Sequence, residues 1–296
     1  MKKKILIVGG SGFLGYNLLR KLSRIGKFDL YSLSKFKIDT SKRIRNISYI
    51  FCDISKILIL KKKIKKNYDV IINLSGNIDH KKNSDNLKVH YRGLSNLLKV
   101  LNLEQIKLFL QVGSSLEYGK KLSPQKENTI CNPISYYGKA KYKASSLLKK
   151  KISNFVIIRP YQVYGPYQKD NRLIPMVIKS CIENKTFPCS HGNQERDFLY
   201  IDDFINLIIK IINNNKFKNK IFNIGYGKPI KVKKVINLIL NIIKKGRPLF
   251  GNIKMRKDEI KKLYPDISRV QKEFNWKPKT GLKKGLIKTI YFYAKN

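Results

Sequence analysis

The sequence predicts an α/β protein in which a doubly wound parallel sheet is accompanied by a smaller C-terminal lobe. The first observation is that short apolar runs alternate with longer helical patterns between Lys4 and Pro160. Strands that are apolar throughout are typical of parallel sheets buried on both faces. The second observation is a glycine-rich turn that joins the first of these strands to the first helix.

Each predicted element follows from this alternation. The strands are KILIVGG, FDLYSLS, ISYIFCDI, DVIINLSG, KLFLQVGSS and NFVIIRP, and KIFNIG returns to the sheet later in the chain. The helices are LGYNLLRKLSRIG, SKILILKKKIKKN, SDNLKVHYRGLSNLLKVLNLE and the segment that follows YYGKAK. Ser84 or Asp85 is the predicted N-cap of the third helix, because their side chains accept hydrogen bonds from a first helical turn.

The alternation weakens after Gly165, which predicts a second folding unit. We assign residues 1–165 plus 193–225 to the sheet domain and residues 166–192 plus 226–296 to the smaller lobe. Doubly wound sheets bind ligands beyond the carboxyl ends of their strands. Polar residues at those ends are therefore the first candidates for function.

Composition argues against several classes of protein. No run of about 18 apolar residues is present, so no transmembrane helix is predicted. The apolar run Ile5–Val8 is too short for a secretory signal. The four cysteines (Cys52, Cys131, Cys181 and Cys189) show no C-x-x-C spacing. We expect a reduced, cytoplasmic protein without a structural metal.

The chain is strongly basic, with 63 Lys+Arg against 19 Asp+Glu and a formal net charge of +44. Such a charge attracts nucleic acids and other anions. The lysines are spread along the whole chain and accompany abundant isoleucine and asparagine, residues that A/T-rich codons encode. Neither an RNP-type aromatic motif nor a helix-turn-helix is recognisable. We interpret the charge as mainly compositional, and we predict no specific nucleic-acid partner.

The segment IVGGSGFLG predicts a phosphate-binding turn. It places Gly9, Gly12 and Gly15 at three-residue intervals between the first strand and the first helix. Glycine permits the tight turn, the close approach of a pyrophosphate and close packing of helix on strand. The exposed N–H groups and positive end of the helix would face the phosphates. Dinucleotide binding is the predicted role of the sheet domain.

The end of the second strand bears on which dinucleotide binds. NAD sites usually carry an acid there, which binds the ribose 2′-hydroxyl, but this chain has Ser34 and Lys35. A hydroxyl and an ammonium suit a 2′-phosphate, so the sequence favours NADP(H) over NAD(H). Asp53 is a candidate for the adenine amino group, or alternatively an ordinary N-cap. Further cofactor contacts are predicted at Phe13, Leu14, Ile54, Leu74 and Ser75.

The segment NPISYYGKAKYK places tyrosines and lysines at helical spacing. Tyr137 and Lys141 are four residues apart and would share one helical face, while Tyr136 has Lys139 three residues later. A nearby ammonium favours the phenolate of a tyrosine, which makes it a usable base near neutral pH. Spacing alone prefers Tyr137 only slightly. Ser114 and Ser115, at the end of the fifth strand, could hydrogen-bond a substrate oxygen.

Ordered motifs extend over nearly the whole chain. They are G-x-x-G-x-x-G at 9–15, S-S-x-x-Y-G at 114–119, P-x-x-x-Y-G-x-x-K at 133–141, RPYQVYGP at 159–166, RDFLYIDD at 196–203, FNIGYGKPI at 222–230 and the closing YPDISRVQKEFNWKP. In these motifs the chain resembles the extended short-chain dehydrogenases/reductases of the NAD-dependent epimerase/dehydratase family, which modify nucleotide sugars. The resemblance implies a Rossmann fold, a nucleotide-diphosphate sugar as substrate, and a possible homodimer.

The resemblance also implies roles for individual residues. The register of the motif makes Tyr137 the acid/base, Lys141 the residue that lowers its pKa and holds the nicotinamide ribose, and Ser114 the group that polarises the oxygen on C4 of the sugar. Predicted substrate contacts are Ser115, Gln162, Arg196 and Arg256. For both arginines, which could bind the diphosphate, a surface ion pair is the alternative.

Departures from the family pattern reduce the number of family reactions that the chain is expected to catalyse. Sugar 4,6-dehydratases of this family carry an acidic or Ser/Glu pair after the catalytic hydroxyl, where this chain has Ser115 and Leu116. Leu116 cannot act as a base, so 4,6-dehydration is disfavoured. Glu117 would fall on the opposite face if the strand continued. Gln162 replaces a common asparagine, and His90 replaces another and receives no catalytic role.

Oxidation or reduction at C4 of the sugar is the predicted chemistry that remains. A 4-ketoreductase is favoured over a 4-epimerase with retained NAD, because Ser34 and Lys35 suggest NADPH. A non-catalytic dinucleotide sensor or nucleic-acid-associated protein is the alternative from another class.

Overall fold

The computed structural model describes residues 2–76, 86–214, 219–255 and 259–295. The chain forms two compact units: 1–120, 127–160 and 205–222 make the first, and 121–126, 161–204 and 223–296 make the second. The predicted boundaries placed residues 193–204 with the sheet domain, but the strand that begins at Glu195 pairs inside the second unit. Backbone pairing, which a local pattern does not specify, explains the difference.

The elements are numbered in chain order. The strands are β1 Lys3–Val8, β2 Phe28–Ser34, β3 Ile47–Phe51, β4 Val70–Asn73, β5 Leu108–Val112, β6 Phe155–Pro160, β7 Gln162–Tyr164, β8 Thr186–Cys189, β9 Glu195–Tyr200, β10 Lys220–Ile224, β11 Pro229–Lys231, β12 Arg247–Phe250 and β13 Lys262–Leu263. The α-helices are α1 Phe13–Ile25, α2 Ile57–Lys63, α3 Gly93–Val100, α4 Tyr136–Lys151, α5 Leu173–Ile182, α6 Ile201–Asn213, α7 Val232–Ile243, α8 Ser268–Phe274 and α9 Leu282–Lys295.

A seven-stranded sheet organises the first unit, in the order β10-β6-β5-β4-β1-β2-β3. Pairing is parallel from β3 through β6. The chain runs outward from β1 in one direction through β2 and β3, and then in the other direction through β4, β5 and β6. The predicted doubly wound parallel sheet is confirmed, and its order reverses between β1 and β4, where such folds bind ligands.

Helices bury their apolar faces against this sheet because its strands are apolar on both sides. In α1 the residues that face the sheet recur at helical spacing and are fully buried, while the helix ends at Gly26 in a left-handed conformation (φ 71°). One continuous core cluster contains Leu6, Val8, Leu33, Leu94, Leu97, Phe109, Ala144, Leu148, Phe155 and Ile157 among others. This core fixes the strand ends that carry the candidate site.

The third predicted helix differs from its expected form. A π-helical turn at Leu87–Arg92 leads directly into α3. The predicted N-caps Ser84 and Asp85 lie outside the described residues. A π turn holds one extra residue per turn and rotates the side chains that follow, and such turns are frequent at functional sites. Hydrophobic spacing alone does not reveal it.

The second unit is organised around β9, which pairs with β7, β11 and β13, while β8 pairs with β12. Asp197 on β9 is completely buried and accepts hydrogen bonds from the backbone N–H groups of Tyr226, Gly227 and Lys228, at 2.6–3.2 Å. Burial raises the pKa of Asp197 to about 6, and the three N–H donors oppose that effect. This carboxyl group therefore anchors the turn between β10 and β11.

Candidate active site

The glycine turn between β1 and α1 leaves no space for a side chain at Gly9 or Gly15. Gly9 has φ 85°, and a Cβ there would lie 2.9 Å from the carbonyl carbon of Leu74 and the nitrogen of Ser75. A Cβ on Gly15 would lie only 2.3 Å from the carbonyl oxygen of Gly9. These two glycines are required by the backbone itself, since the helix packs directly on the turn.

The start of α1 has the features of an anion-binding helix terminus. Gly12 is the N-cap, no side chain caps the helix, and its first turn carries no acidic residue. The half-buried Phe13 and Leu14 form that first turn. Unsatisfied N–H groups and the positive end of the helix dipole favour phosphate here. The turn and helix start therefore fit the pyrophosphate of a dinucleotide.

Replacing Gly15 by alanine is expected to weaken NAD(H) and NADP(H) binding at least tenfold, because the added Cβ forces α1 away from the carbonyl of Gly9. Isothermal titration calorimetry of the cofactor measures the loss. Gly281→Ala is the matched control, since a Cβ there meets nothing within 4 Å. Unchanged affinity in Gly15→Ala would show that the dinucleotide does not use this turn.

The end of β2 is already engaged by neighbouring groups. Ser34 is 5% exposed, and its hydroxyl accepts a hydrogen bond from the Ser11 N–H at 3.0 Å. The Lys35 ammonium forms a 3.2 Å ion pair with Asp53. Partial burial opposes ionisation of Asp53, but hydrogen bonds from Ser55 and Lys35 outweigh it and lower its pKa. The two residues predicted to hold a 2′-phosphate therefore have partners in the protein.

The end of β4 lies beside the glycine turn, as the strand order requires. Asn73 donates to the side chain of Gln111 at 2.8 Å and accepts from the Ser75 hydroxyl at 2.6 Å. This network fixes Leu74 and Ser75 against Gly9. The other predicted cofactor contact in this region, Ile54, is buried and packs where a Cβ on Gly93 of α3 would lie.

Helix α4 begins where two local features permit it. Ser135 is the N-cap, and its hydroxyl accepts from the Gly138 N–H at 3.1 Å. A Cβ on Gly138 would lie 2.5 Å from the carbonyl oxygen of Leu116. Glycine at this position therefore allows the helix start to approach the turn after β5 closely.

The two tyrosines and two lysines of α4 have different environments. Tyr136 is 50% exposed and Lys139 is exposed, whereas Tyr137 is half-buried and Lys141 is 3% exposed. Lys141 Nζ lies 5.8 Å from the centre of the Tyr137 ring and donates to the Val112 carbonyl oxygen at 2.8 Å. The structure thus brings Tyr137, and not Tyr136, together with the buried lysine.

Burial changes the proton affinity of this lysine. Desolvation lowers the pKa of Lys141 to about 8, while the negative charge of Glu117 acts in the opposite direction. The lysine whose pKa is lowered therefore lies beside the Tyr137 ring.

The chain turns immediately after β5 and presents Ser114 at the strand end. A short 3₁₀ helix, Ser115–Glu117, follows, and the Ser114 hydroxyl accepts from the Leu116 N–H at 3.1 Å. A hydroxyl that accepts in this way retains its own hydrogen to donate to a ligand. Ser115 is buried beside it, at 5% exposure.

The predicted position of Glu117 needs a correction. A continuing strand would put it on the opposite face, but the chain is helical there, and Glu117 is completely buried. Arg159 forms an ion pair with it at 3.0 Å. Sequence spacing gave no sign of this pairing because the partners lie on separate elements.

His90, for which the sequence predicts no catalytic role, also lies at this site. It is 3% exposed on the π turn, and its ring meets the Tyr137 ring edge to face at 5.2 Å. A Cβ on Gly76 would lie 2.7 Å from His90. The π turn places His90 at this position, and the sequence pattern alone does not reveal that turn.

The predicted substrate contacts Gln162 and Arg196 belong to the second unit. Gln162 is exposed at the start of β7 in the second unit. In the same unit Arg196, on β9, is 6% exposed, forms an ion pair with Glu259 and donates to the Glu195 carbonyl. Arg256 lies outside the described residues.

Two features are absent from the described ranges. No helix among them has the length and apolar character to cross a bilayer. The same part of the chain brings no three His, Cys, Asp or Glu side chains into a group that could hold a metal ion.

Comparisons with known proteins agree with this architecture. A Bacillus subtilis (strain 168) protein described as uncharacterized UDP-glucose epimerase YtcB is 28% identical over 315 residues, covering 98% of both chains. The structure of a Thermotoga maritima UDP-glucose 4-epimerase with UDP-glucose superposes with a TM-score of 0.90, at 22% identity and 99% coverage of both chains. A Bacillus anthracis dTDP-glucose 4,6-dehydratase in complex with NAD superposes with a TM-score of 0.83 at 21% identity, covering 99% of this chain and 97% of that one.

The model of the NAD dependent epimerase/dehydratase family matches residues 5–225, about three quarters of the chain. That range contains the glycine turn, the serine turn after β5 and the Tyr137–Lys141 helix. The chain belongs to the NAD dependent epimerase/dehydratase family.

Proposed function

We propose that this protein is an NAD(P)-dependent nucleotide-sugar 4-epimerase that acts on a nucleotide-diphosphate sugar. The observation that carries the proposal is the contact between the Tyr137 ring and the ammonium of the buried Lys141. The same ammonium donates to the carbonyl oxygen of Val112, at the end of β5 and two residues before Ser114. These groups stand in the same unit as a glycine turn that fits a dinucleotide. A hydroxyl, a phenol and an ammonium are what oxidation of a sugar alcohol requires.

The proposed proton chemistry uses only these side chains. Ser114 donates a hydrogen bond to the oxygen on C4 of the sugar. Tyr137, as phenolate, takes the hydroxyl proton and later returns it, and Lys141 stabilises the phenolate in the interval. The bound nicotinamide supplies the acceptor and donor of the hydride. If the hydride returns to the opposite face of C4, the configuration is inverted with no net oxidation.

The turn after β5 supports redox chemistry at C4 over 4,6-dehydration. Dehydration needs a base near C5, and Leu116 supplies no titratable group. Glu117 is completely buried in an ion pair with Arg159, so its carboxylate is directed into the protein. Ser115 is buried, and the residue that follows it is Leu116 instead of the glutamate of a Ser/Glu pair.

The choice of epimerase over 4-ketoreductase depends on the end of β2. Ser34 and Lys35 stand where NAD sites usually carry an acid, so the sequence favours NADPH. Because NADPH suits net reduction, a 4-ketoreductase is the second candidate. The Ser34 hydroxyl accepts from the Ser11 N–H and keeps its own hydrogen to donate, but Lys35 is paired with the Asp53 carboxylate. A 2′-phosphate would have to compete with that carboxylate, so we propose NAD(H) as the resident cofactor.

Replacing Asp53 by asparagine is expected to shift cofactor preference toward NADP(H) by roughly fivefold, a change of about 1 kcal/mol. The substitution removes the charge that holds Lys35 and retains an oxygen for the Ser55 N–H. The ratio of the two dissociation constants measures the effect, because any adenine contact is common to both cofactors. Adding Lys35→Ala should return the ratio to its original value. An unchanged ratio in Asp53→Asn would place Lys35 away from the 2′-position.

The reaction itself is tested with UDP-glucose as the probe. An epimerase forms the C4 epimer, seen by NMR, without net change at the reduced-nicotinamide absorbance band. Consumption of NADPH with a nucleotide-linked 4-keto sugar, and no epimer, would support the ketoreductase instead. A 4-keto-6-deoxy product would contradict the exclusion of dehydration. No turnover in any assay would favour the non-catalytic alternative, and mass spectrometry of co-purifying nucleotides would identify the natural ligand.

A further inference from the structure

The Glu117 carboxylate joins three separate elements beneath the candidate site. Its Oε1 accepts from the Ser114 N–H at 2.9 Å and from the Ser145 hydroxyl at 3.2 Å. Its Oε2 is bonded by Arg159 through Nε at 3.1 Å and Nη2 at 3.0 Å. The residue is 0% exposed, so water does not compete for these bonds.

The first bond acts on Ser114. The Glu117 side chain reaches back to the N–H of the N-cap residue, while the Ser114 hydroxyl accepts from the first turn. This reciprocal capping box fixes both the backbone and the side chain of Ser114. A Cβ on Gly113 would lie 2.3 Å from Glu117 Oε1, so glycine at that position makes room for the carboxylate. The direction in which the Ser114 hydroxyl can donate is therefore set by Glu117.

The second bond acts on α4. Ser145 lies four residues after Lys141 and thus on the same helical face. Through it the turn carrying Ser114 is bonded to the helix carrying Tyr137 and Lys141. The negative charge of the carboxylate also raises the pKa of Lys141, against the lowering effect of desolvation. Both halves of the proton-transfer machinery thus depend on one buried acid.

We propose that Glu117 is a positioning residue, which bonds to Ser114 and to Ser145 on α4 and so aligns the Ser114 hydroxyl with the Tyr137–Lys141 pair. Its negative charge also favours the ammonium form of Lys141. This inference rests on the proposed catalytic roles of those three residues. The other titratable groups that the structure describes around Glu117 and Lys141 are Arg159 on β6, Cys131 in the loop before α4, Tyr118 after the 3₁₀ helix and Tyr137 on α4.

Glu117→Gln tests the proposal because the amide keeps a hydrogen-bonding side chain and removes the charge. We expect kcat to fall roughly 10- to 100-fold, the effect of losing a charge-assisted hydrogen bond. Lys141 should lose its proton at a lower pH than in wild type. Because only the ammonium stabilises the phenolate, the alkaline limb of kcat should move to lower pH as well. Glu104→Gln, an exposed acid in the same unit, is the matched control.

The Lys141 titration provides a measurement that needs neither cofactor nor turnover. NMR of ¹³C-labelled lysine follows it in the protein alone, with Lys141→Met to assign the signal. If Glu117→Gln does not fold, Glu117→Gln/Arg159→Met removes both charges and is measured in the same way. A native fold with an unshifted Lys141 titration would refute the inference. Wild-type protein that turns over no nucleotide sugar would instead count against the proposed function, and the titration would still decide the role of Glu117.

Discussion

Phenylalanine in place of Tyr137 is expected to lower kcat by about 10²–10⁴-fold, the usual contribution of a positioned acid/base. The substitution removes only the hydroxyl, so the ring contact with His90 and the helix around Gly138 remain. Binding of NAD(H) should be unchanged, because the glycine turn is untouched. Epimer formation from UDP-glucose and calorimetric cofactor titration measure the two quantities separately.

Tyr136→Phe is the matched control for this prediction. Tyr136 is the neighbouring residue on the same helix and is 50% exposed, so its substitution should leave kcat within about twofold. If the two variants lost activity equally, the assignment of the acid/base to Tyr137 would be wrong. Loss of cofactor binding together with activity in Tyr137→Phe would indicate a positioning role for the phenol.

Methionine in place of Arg159 is expected to destabilise the protein by about 3–5 kcal/mol, the cost of leaving one member of a buried ion pair uncompensated. Arg159 is 1% exposed and Glu117 is 0% exposed, so neither charge can recover hydration by a small movement. The guanidinium also lies 4.5 Å from the centre of the buried Tyr118 ring. The free energy of unfolding, from urea titration at neutral pH, measures the loss.

A second substitution separates charge from shape in this pair. Glu117→Gln/Arg159→Met leaves no buried charge at the two positions, and it should recover most of the stability lost in Arg159→Met. Lys107→Met supplies a surface comparison, since its ion pair with Asp69 is 64% exposed on the lysine side and should contribute less than about 1 kcal/mol. Equal effects of Arg159→Met and Lys107→Met on unfolding would disprove the argument.

Local patterns were sufficient for the sheet and for the glycine turn. Apolar runs such as ILIV and VIIN can be satisfied only where both faces of a strand are covered, so they predict a buried parallel sheet. Only glycine can adopt the conformation of Gly9 and the close contact of Gly15 with the Gly9 carbonyl. The glycine spacing in the sequence therefore predicts this turn. The i, i+4 spacing of Tyr137 and Lys141 is likewise a property of a single helix.

The tertiary structure decided what depends on separate segments meeting. The ion pairs of Arg159 with Glu117 and of Lys35 with Asp53 join residues 42 and 18 positions apart, and no local spacing encodes such contacts. The same holds for β9, whose strand partners place it in the second unit. Sequence alone therefore determined the fold and a tyrosine–lysine helix. The burial that lowers the pKa of Lys141, and the acid that opposes it, arise only when β5, β6 and α4 pack together, because desolvation and Coulomb energies depend on distance in space.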